Sequence, residues 1–341
     1  MTGVPNDLAE LVASIYDHAA GAGDSTVESR YLPERGIADG MAGRTASGGT
    51  AELDGTPIAL VTAGADLLAA VHRGDGWRIV AVDLPSLGHR DLGYESAVIA
   101  VVGSDARKGE DAIRARADSL HLVGFDGVTA TFDIVGIPRD SWVAIPGRSP
   151  NKINSALANG GPDLLITTLE GLAGYELDGT LLTGFEGFQE ALGNVLGGIQ
   201  IHLDSGMRDS ASGANFSPGE QYMNGPQALA FARTRKTLAG GDLDRQRNGG
   251  LVLLAAAATA RFRPVEEMPR MLTEAAGWAW TDLTPEMILR LTMTSLVAPL
   301  LDVRNEVLPG TPGNRSGAST IELSSGAATM LADLADGSLH P

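Results

Sequence analysis

A run of apolar residues at positions 97–102 (AVIAVV) constrains the fold of this 341-residue chain most strongly. The run is too short for a typical helix and ends at Gly103-Ser104-Asp105, so it predicts a buried strand. Further strands are predicted at 57–62, 67–72, 77–82, 120–125, 128–135, 199–203 and 319–323. Helices are predicted at 152–158, 163–173, 185–196, 225–233, 244–261, 265–276, 285–297 and from 324 to 334. Because short buried strands are interleaved with helices, the pattern indicates a layered α/β domain.

The first 95 residues are predicted to form an N-terminal extension made of a helix, a loop and a β-hairpin. The helix follows Asn6 or Asp7 as its cap and carries one apolar face, formed by Leu8, Leu11, Val12, Ile15 and Tyr16. Residues 21–56 are rich in Gly, Ala, Thr and Asp and are expected to be a loop. The turn at 73–76 (RGDG) predicts the hairpin. A second domain is expected over 96–338.

Composition excludes several classes of protein. The formal charge of −17 argues against a nucleic-acid partner and against a polybasic membrane-surface binder, since both targets carry phosphate. No cysteine is present, which excludes disulfides, thiolate metal sites and cysteine nucleophiles. The six histidines are widely spaced, so a zinc site is not expected, and the motifs of serine-hydrolase elbows and P-loops are missing. The longest apolar run, 251–260, is too short to span a bilayer, so these residues are expected to form a soluble protein.

Arginine dominates the basic residues. Of the 25 Lys and Arg residues 22 are arginine, and five of the bases lie between Arg233 and Arg247. A guanidinium group suits bidentate recognition of phosphate or carboxylate. Codon usage in a GC-rich genome explains such a bias equally well.

Acidic and arginine residues recur together at the ends of predicted strands. In an α/β sheet, ligands bind outside the strand ends, so these pairs are expected to meet in one crevice. The residues concerned are Asp105 with Arg107, Arg116 with Asp118, Arg139 with Asp140, then Arg233, Arg235, Asp242, Asp244 and Arg245. Carboxylates and guanidinium groups can bind a magnesium pyrophosphate. The alternative is a set of surface salt bridges, which is the commoner role of such pairs.

The same residues belong to a series of motifs that resembles the LytR-CpsA-Psr family. The ordered match covers about 97–260, with a weaker helical continuation to 336, and the block 219–235 (GEQYMNGPQALAFARTR) is its most specific part. The other motifs are GSDAR (103–107), RADS (116–119), IPRDSWV (137–143), IPG (145–147), KINSA (152–156), GG (160–161), FEGF (185–188), ALG (191–193) and GGIQI (197–201), followed by Asp242 and Arg245.

This resemblance implies a three-layer α/β/α sandwich with a mixed central sheet, and it makes 96–338 the catalytic domain. It implies an extracytoplasmic, cell-envelope enzyme that transfers a glycopolymer from a polyprenyl-pyrophosphate carrier to peptidoglycan with Mg²⁺ (or Mn²⁺). Membrane association would come from the lipid substrate and from an anchor that these residues do not contain. By motif position, Asp105 and Asp118 would hold the metal, and the catalytic residues would be Asp105, Asp118 and Arg139. The pyrophosphate would be bound by Arg107, Arg116, Arg139, Lys152, Arg233, Arg235, Arg245 and Arg247.

The sequence departs from the family after Arg245. Where the family usually carries Arg-Gln before the apolar helix, this chain has Asn248 and Gly249. One charge and one amide are thereby missing, and Arg247 is the residue that can replace the charge. The alternatives left open are a weakened member that binds polyprenyl (pyro)phosphate or cell-wall glycan, and a polyprenyl-pyrophosphate phosphatase.

Overall fold

A five-stranded and a six-stranded sheet organise the chain in its structure, a computed structural model that describes residues 2–37, 46–235, 241–315 and 317–339. The first sheet is an antiparallel meander in chain order, preceded by one helix. Its elements are α1 (Asn6–Ala19), β1 (Ala46–Leu53), β2 (Thr56–Ala63), β3 (Asp66–Arg73), β4 (Gly76–Leu84) and β5 (His89–Asp91). The expected hairpin is therefore β3 and β4, two strands of a larger sheet.

The rest of the chain alternates strands with helices. In order, the elements are β6 (Ser96–Ser104), β7 (Ala117–Asp126), β8 (Thr131–Gly136), β9 (Trp142–Val143), β10 (Asn151–Lys152), α2 (Ser155–Ala173), β11 (Gly179–Thr183), α3 (Phe185–Glu190) with a π-helical turn (Ala191–Val195), β12 (Ile199–Leu203), β13 (Met207–Asp209), β14 (Ala214–Phe216), β15 (Gly219–Met223), α4 (Gly225–Ala232), α5 (Asp242–Ala260), α6 (Met268–Ala276), β16 (Trp280–Thr281), α7 (Pro285–Val297), β17 (Asn305–Val307), β18 (Gly310–Arg315), β19 (Ala318–Leu323) and α8 (Ser325–Leu334).

The six-stranded sheet has the order β16-β11-β6-β7-β8-β17 and is mixed. β6 is parallel to β11 and antiparallel to β7, and β8 is parallel to β17. Successive residues of β6 face opposite sides: Val98 and Ala100 pack with α2 and α8, whereas Ala97 and Ile99 pack with α5 and α7. This alternation explains why the run at 97–102 is apolar throughout. The predicted three-layer α/β/α sandwich with a mixed central sheet is confirmed.

The N-terminal sheet is also buried on both faces. In β2, Ala59 and Val61 face α1, whereas Ile58 and Leu60 belong to a core shared with α5, α6 and α7. The two sheets are therefore joined through helices that also form one outer layer of the sandwich. Among the described residues, no helix combines the length and the apolar composition needed to cross a bilayer.

The interpretation of residues 21–56 as a loop is wrong in its last part, where β1 pairs with β2 along its whole length. The strand is inconspicuous because it contains Gly48 and Gly49, residues disfavoured in strands. A glycine is required at position 49 because another segment approaches closely: a Cβ there would lie 1.9 Å from the backbone oxygen of Glu266. Positions 38–45 of the predicted loop lie outside the described residues.

Other boundaries also differ from the sequence-based predictions. Helix α1 begins at Asn6 with Pro5 in the cap position, so neither Asn6 nor Asp7 caps it. Strand β8 starts at Thr131, because Asp126 accepts hydrogen bonds from the backbone of the preceding turn. In contrast, the two helices expected on either side of 160 are observed, because α2 consists of two helical segments separated by a kink at the non-helical Gly161.

Candidate active site

A cavity of about 660 Å³ opens where β6, β7 and β11 end beside α3, α4 and α5. Most of its wall is apolar. The apolar lining consists of Val101, Val102, Leu181, Phe185, Phe188, Ala191, Leu192, Ala211, Leu229, Ala232, Val252 and Leu253. Such a cavity is large enough for part of a lipid chain or for a drug-sized apolar ligand.

Charged side chains line the same cavity beside this apolar wall. The sequence-predicted residues that line it are Asp118, Arg139, Arg233, Arg235 and Arg245. Of the three strand-end pairs expected to meet in one crevice, only Asp118 and Arg139 line this cavity, while Arg233 and Arg235 follow α4 and Arg245 lies in α5. The guanidinium group of Arg233 also lies over the ring of Phe185, 4.4 Å from its centroid, in a cation–π contact.

Asp242 connects the arginines. It is the first residue of α5, where the positive end of the helix dipole favours an acidic side chain. Its Oδ1 lies 3.0 Å from Nη2 of Arg245, 3.7 Å from Nε of Arg235 and 3.8 Å from Nε of Arg139. Although this carboxylate is nearly buried, neither oxygen has a hydrogen-bond partner among the described residues. The carboxylate of Asp242 thus faces three guanidinium groups and does not use all of their hydrogen-bond donors.

Arg139 and Arg245 are held against Asp118. Nη1 of Arg139 donates to Oδ1 of Asp118 at 2.5 Å, and Nη2 of Arg245 donates to the backbone oxygen of Asp118 at 2.9 Å. Burial lowers the pKa of Arg245 to about 10, partly offset by Asp242, so the group stays protonated at neutral pH. Burial acts on Arg139 in the same sense, but the attraction of Asp118 and Asp242 outweighs it, and the pKa of Arg139 is raised. The site therefore holds fixed positive charge.

A β-bulge determines which side chains of β7 reach the cavity. Gly103 pairs with Ser119 and Ser104 pairs with Ala117, which leaves Asp118 as the extra residue. In a regular strand, Asp118 and Ser119 would point to opposite faces. The bulge lets both line the cavity, together with His121, and bulges commonly redirect side chains next to active sites.

Sequence reasoning left Ser119 and His121 without a role. His121 is buried, its Nε2 lies 2.9 Å from the backbone oxygen of Gln246, and its Nδ1 lies 3.4 Å from Oγ of Ser119. Burial lowers the pKa of His121 to about 4, so the imidazole is neutral at pH 7. Their i, i+2 spacing in a strand was the only available signal, because it places both side chains on one face.

The remaining sequence-predicted residues do not line the cavity. Asp105 accepts a hydrogen bond from the backbone N–H of Arg116 at 2.8 Å, while the Arg116 and Arg107 side chains are exposed. Lys152 pairs with Asp140 at 3.0 Å, and Arg247 pairs with Asp244 at 3.7 Å. These two pairs match the salt-bridge alternative. The full set of residues and roles expected for the site remains a prediction.

The two aspartates expected to hold Mg²⁺ do not form a complete metal site by themselves. Across the described residues, no group of three His, Asp or Glu side chains is arranged to hold a metal ion. Asp105 and Asp118 stand on the neighbouring ends of β6 and β7, and each uses one carboxylate oxygen in the hydrogen bonds described above. Two carboxylates suit a Mg²⁺ ion that takes its other oxygens from phosphate and water.

The two departures from the family pattern, Asn248 and Gly249, lie in α5 directly after Arg247. Asn248 is buried, and its Nδ2 has no hydrogen-bond partner in the described part of the chain. Gly249 packs on the imidazole, since a Cβ at this position would lie 2.6 Å from Cε1 of His121. The space for a longer side chain at 249 is therefore filled by His121.

Known proteins resemble this chain in both sequence and fold. It is 31% identical over 196 residues to the polyisoprenyl-teichoic acid–peptidoglycan teichoic acid transferase TagU of Bacillus mycoides, covering 57% of this chain and 62% of that protein. It is 32% identical over 194 residues to TagU of Oceanobacillus iheyensis, covering 54% and 58%. The chain thus spans about 60% of the length of these curated relatives. The crystal structure of Bacillus subtilis TagV superposes with a TM-score of 0.62 at 24% identity, covering 72% of this chain and 99% of that one.

The model of the LytR_cpsA_psr family matches residues 82–333, about three quarters of the chain. The match begins in β4 and contains every element that borders the cavity. The sequence motifs, the mixed sheet and the family model agree, and we conclude that the chain belongs to the LytR-CpsA-Psr family.

Proposed function

We propose that this protein transfers a glycopolymer from a polyprenyl-pyrophosphate carrier to peptidoglycan. The observation that carries the proposal is the direct junction of an apolar cavity with a cluster of arginines whose hydrogen-bonding capacity is incompletely used. A polyprenyl pyrophosphate has the matching chemistry, because a long apolar chain is joined to a compact anion. The sequence relatives named as teichoic acid transferases support the same class of reaction.

In the proposed reaction, a hydroxyl group of peptidoglycan attacks the phosphorus atom next to the sugar. A new P–O bond forms, the bond to the polyprenyl phosphate breaks, and the proton of the hydroxyl group leaves to a carboxylate or to solvent. Arg139 and Arg245 are suited to neutralise the leaving phosphate because both are charged and held by Asp118 and Asp242, with Arg245 buried and Arg139 half-buried. Preorganised charge of this kind is usually the largest contribution to phosphoryl transfer.

We further propose that Asp105 and Asp118 bind Mg²⁺ (or Mn²⁺) together with the pyrophosphate. The bound cation would neutralise charge on the phosphate oxygens. Arg107, Arg116, Lys152 and Arg247 lie outside the cavity, so we propose that they contact the glycan or the distal phosphate once substrate is bound. The reaction would take place outside the cytoplasm, at the cell envelope, with the lipid substrate bringing the protein to the membrane.

The proposal is tested with purified protein, Mg²⁺, a polyprenyl-pyrophosphate-linked glycan and uncrosslinked peptidoglycan. The expected products are polyprenyl monophosphate and a glycan–peptidoglycan phosphodiester, detected by mass spectrometry. Arg139→Ala and Asp118→Ala should each lower kcat/KM by about 10²- to 10³-fold, because each removes preorganised charge. Arg78→Ala is the matched control, since Arg78 is exposed on the N-terminal sheet and pairs with Asp75. Full activity in both site variants would refute the proposal.

A second function, binding without transfer, is favoured by Asn248 and Gly249. A binding protein would co-purify with polyprenyl phosphate, visible in native mass spectra, and would show no turnover with any divalent ion. A phosphatase would release phosphate without forming the phosphodiester. Placing Arg at 248 and Gln at 249 tests whether the chain is a degenerated enzyme, because a gain of turnover would show that these two residues had been lost from an active site. The Gln side chain fits only if His121 is replaced by a smaller residue such as Ala.

A further inference from the structure

Ser119 and His121 form a polar pair in the cavity wall. Both line the cavity and both stand on β7 directly after the bulge at Asp118. Their position next to Asp118 places them beside the proposed phosphate site.

The hydrogen bond to Gln246 fixes the state of the imidazole. A carbonyl oxygen can only accept, so Nε2 of His121 must carry the proton that is donated to the Gln246 oxygen at 2.9 Å. In the neutral ring, Nδ1 is then an acceptor, and it lies 3.4 Å from Oγ of Ser119. The Ser119 hydroxyl proton is therefore directed to Nδ1, which leaves the oxygen lone pairs free to accept a further hydrogen bond.

Gly249 makes this arrangement possible. A Cβ at 249 would lie 2.6 Å from Cε1 and 3.0 Å from Nε2 of His121, and 3.3 Å from Oγ of Ser119. Any larger residue would displace the ring and its partner together. Gly249 and His121 are thus complementary in shape, on two elements that are far apart in the sequence.

We infer that Ser119, oriented by His121, is a positioning residue that accepts a hydrogen bond from the attacking hydroxyl group of the acceptor. The inference rests on the proposed function and assigns a residue for its second substrate. His121 acts only through Ser119 and takes no proton in the reaction. The Ser119 oxygen, a neutral and fixed hydrogen-bond acceptor, suits the uncharged sugar hydroxyl group of the second substrate. The arginines suit the anionic donor substrate.

Two substitutions at position 121 separate its two hydrogen bonds. His121→Asn keeps an acceptor near the position of Nδ1 and loses the contact with Gln246. His121→Gln keeps a donor near the position of Nε2 and loses the acceptor for Ser119. Ser119→Ala removes the hydroxyl group, and Ser119→Thr keeps it.

The experiment measures kcat and the KM of each substrate, with a polyprenyl-pyrophosphate-linked glycan as donor and a soluble uncrosslinked glycan strand as acceptor. Ser119→Ala and His121→Gln should each raise the acceptor KM about tenfold with the donor KM unchanged, as expected for the loss of one hydrogen bond. The double variant should be no worse than either single variant, because both remove the same interaction. His121→Asn and Ser119→Thr should stay within about threefold of the unaltered protein.

A parallel rise in both KM values, additive effects in the double variant, or equal loss in His121→Asn and His121→Gln would overturn the inference. Should His121→Asn not fold, the pair Ser119→Ala and Ser119→Thr decides alone. Transfer by the unaltered protein with an acceptor KM that does not respond to Ser119→Ala would overturn the inference and leave the proposed function intact. No transfer by the unaltered protein would overturn both.

Discussion

Two aspartates, the buried Asp66 and the partly buried Asp242, have opposite surroundings. Asp66 of the N-terminal sheet accepts hydrogen bonds from the Tyr16 hydroxyl at 2.8 Å, from the backbone N–H of Ser86 at 2.9 Å and from the Ser86 hydroxyl. Asp242 faces three arginines, yet neither of its oxygens has a hydrogen-bond partner among the residues described. Buried polar groups are normally paired, because leaving one unpaired costs about 1–3 kcal/mol.

The difference distinguishes a carboxylate whose hydrogen bonds are completed by the fold from one that we propose to act in the site. Asp66 ties α1 to the strands beneath it, and its bonds are satisfied by the fold. The unused bonds around Asp242 recur in Nε of Arg139 and in the buried hydroxyl of Ser104, which also lines the cavity. The polar atoms of Ser104 and Arg139 that have no hydrogen-bond partner among the described residues are available to a polar ligand of the cavity, whereas the oxygens of Asp66 are already bonded.

Substitution of these two aspartates by Asn should have opposite effects. Asp242→Asn removes the charge that aligns Arg139, Arg235 and Arg245, so we expect kcat/KM to fall about 100-fold. Asp66→Asn leaves donors facing donors, so we expect the free energy of unfolding to fall by about 1–3 kcal/mol with kcat unchanged. Transfer assays well below each unfolding midpoint, together with urea denaturation, measure both quantities.

The comparison fails if Asp242→Asn is as active as the unaltered protein. It also fails if Asp66→Asn lowers the turnover of the folded fraction. Either result would mean that hydrogen-bond saturation does not distinguish the two regions.

Much of the fold could be predicted from the sequence because apolar periodicity reflects burial directly. The apolar run at 97–102 predicted a buried strand, and the helices interleaved with such strands predicted the layers. Strand β1 could not be predicted, since Gly49 is there to allow contact with Glu266, and that contact is visible only in three dimensions. The local sequence shows that a glycine is unfavourable in a strand, but it does not show the contacting segment that requires the glycine.

The candidate site shows the same limit. Acid–arginine pairs at strand ends did lead to Asp118, Arg139 and Arg245, because strand ends of one sheet meet at its edge. Ser119 and His121 were missed because the sequence of a strand does not show which of its faces lines a cavity, and Asp118 joins them in the lining through the bulge. A bulge is a property of strand pairing, and the sequence of β6 or β7 alone does not predict the register in which the two strands pair.

Two glycines that touch other elements, one in each region, provide a second way to separate the regions. Gly49→Ala would drive a Cβ into the backbone of Glu266, so we expect a loss of about 3 kcal/mol in unfolding free energy with kcat retained. Gly249→Ala would push against the His121 ring, which can shift, so we expect about 1 kcal/mol of destabilisation and a tenfold lower kcat/KM. Gly74→Ala is the control for both, because a Cβ there meets no atom within 4 Å. Equal losses of activity in Gly49→Ala and Gly249→Ala would contradict the assignment.

The smallest expected effect is the pH dependence caused by His121. Its pKa is about 4 in the folded protein and about 6.5 when unfolded, so the unfolded chain binds more protons between these values. Stability should therefore fall as the pH drops below 6.5, by about 2 kcal/mol at pH 5, and this contribution should vanish above pH 7. His121→Gln cannot titrate, so the difference between its unfolding free energy and that of the unaltered protein should change by that amount from pH 7.5 to 5. A constant difference across this range would mean that the imidazole is solvated in the folded state. In that case its Nδ1 would no longer be a fixed acceptor, and the contrast between a saturated N-terminal sheet and an incomplete cavity would rest on the arginine cluster alone.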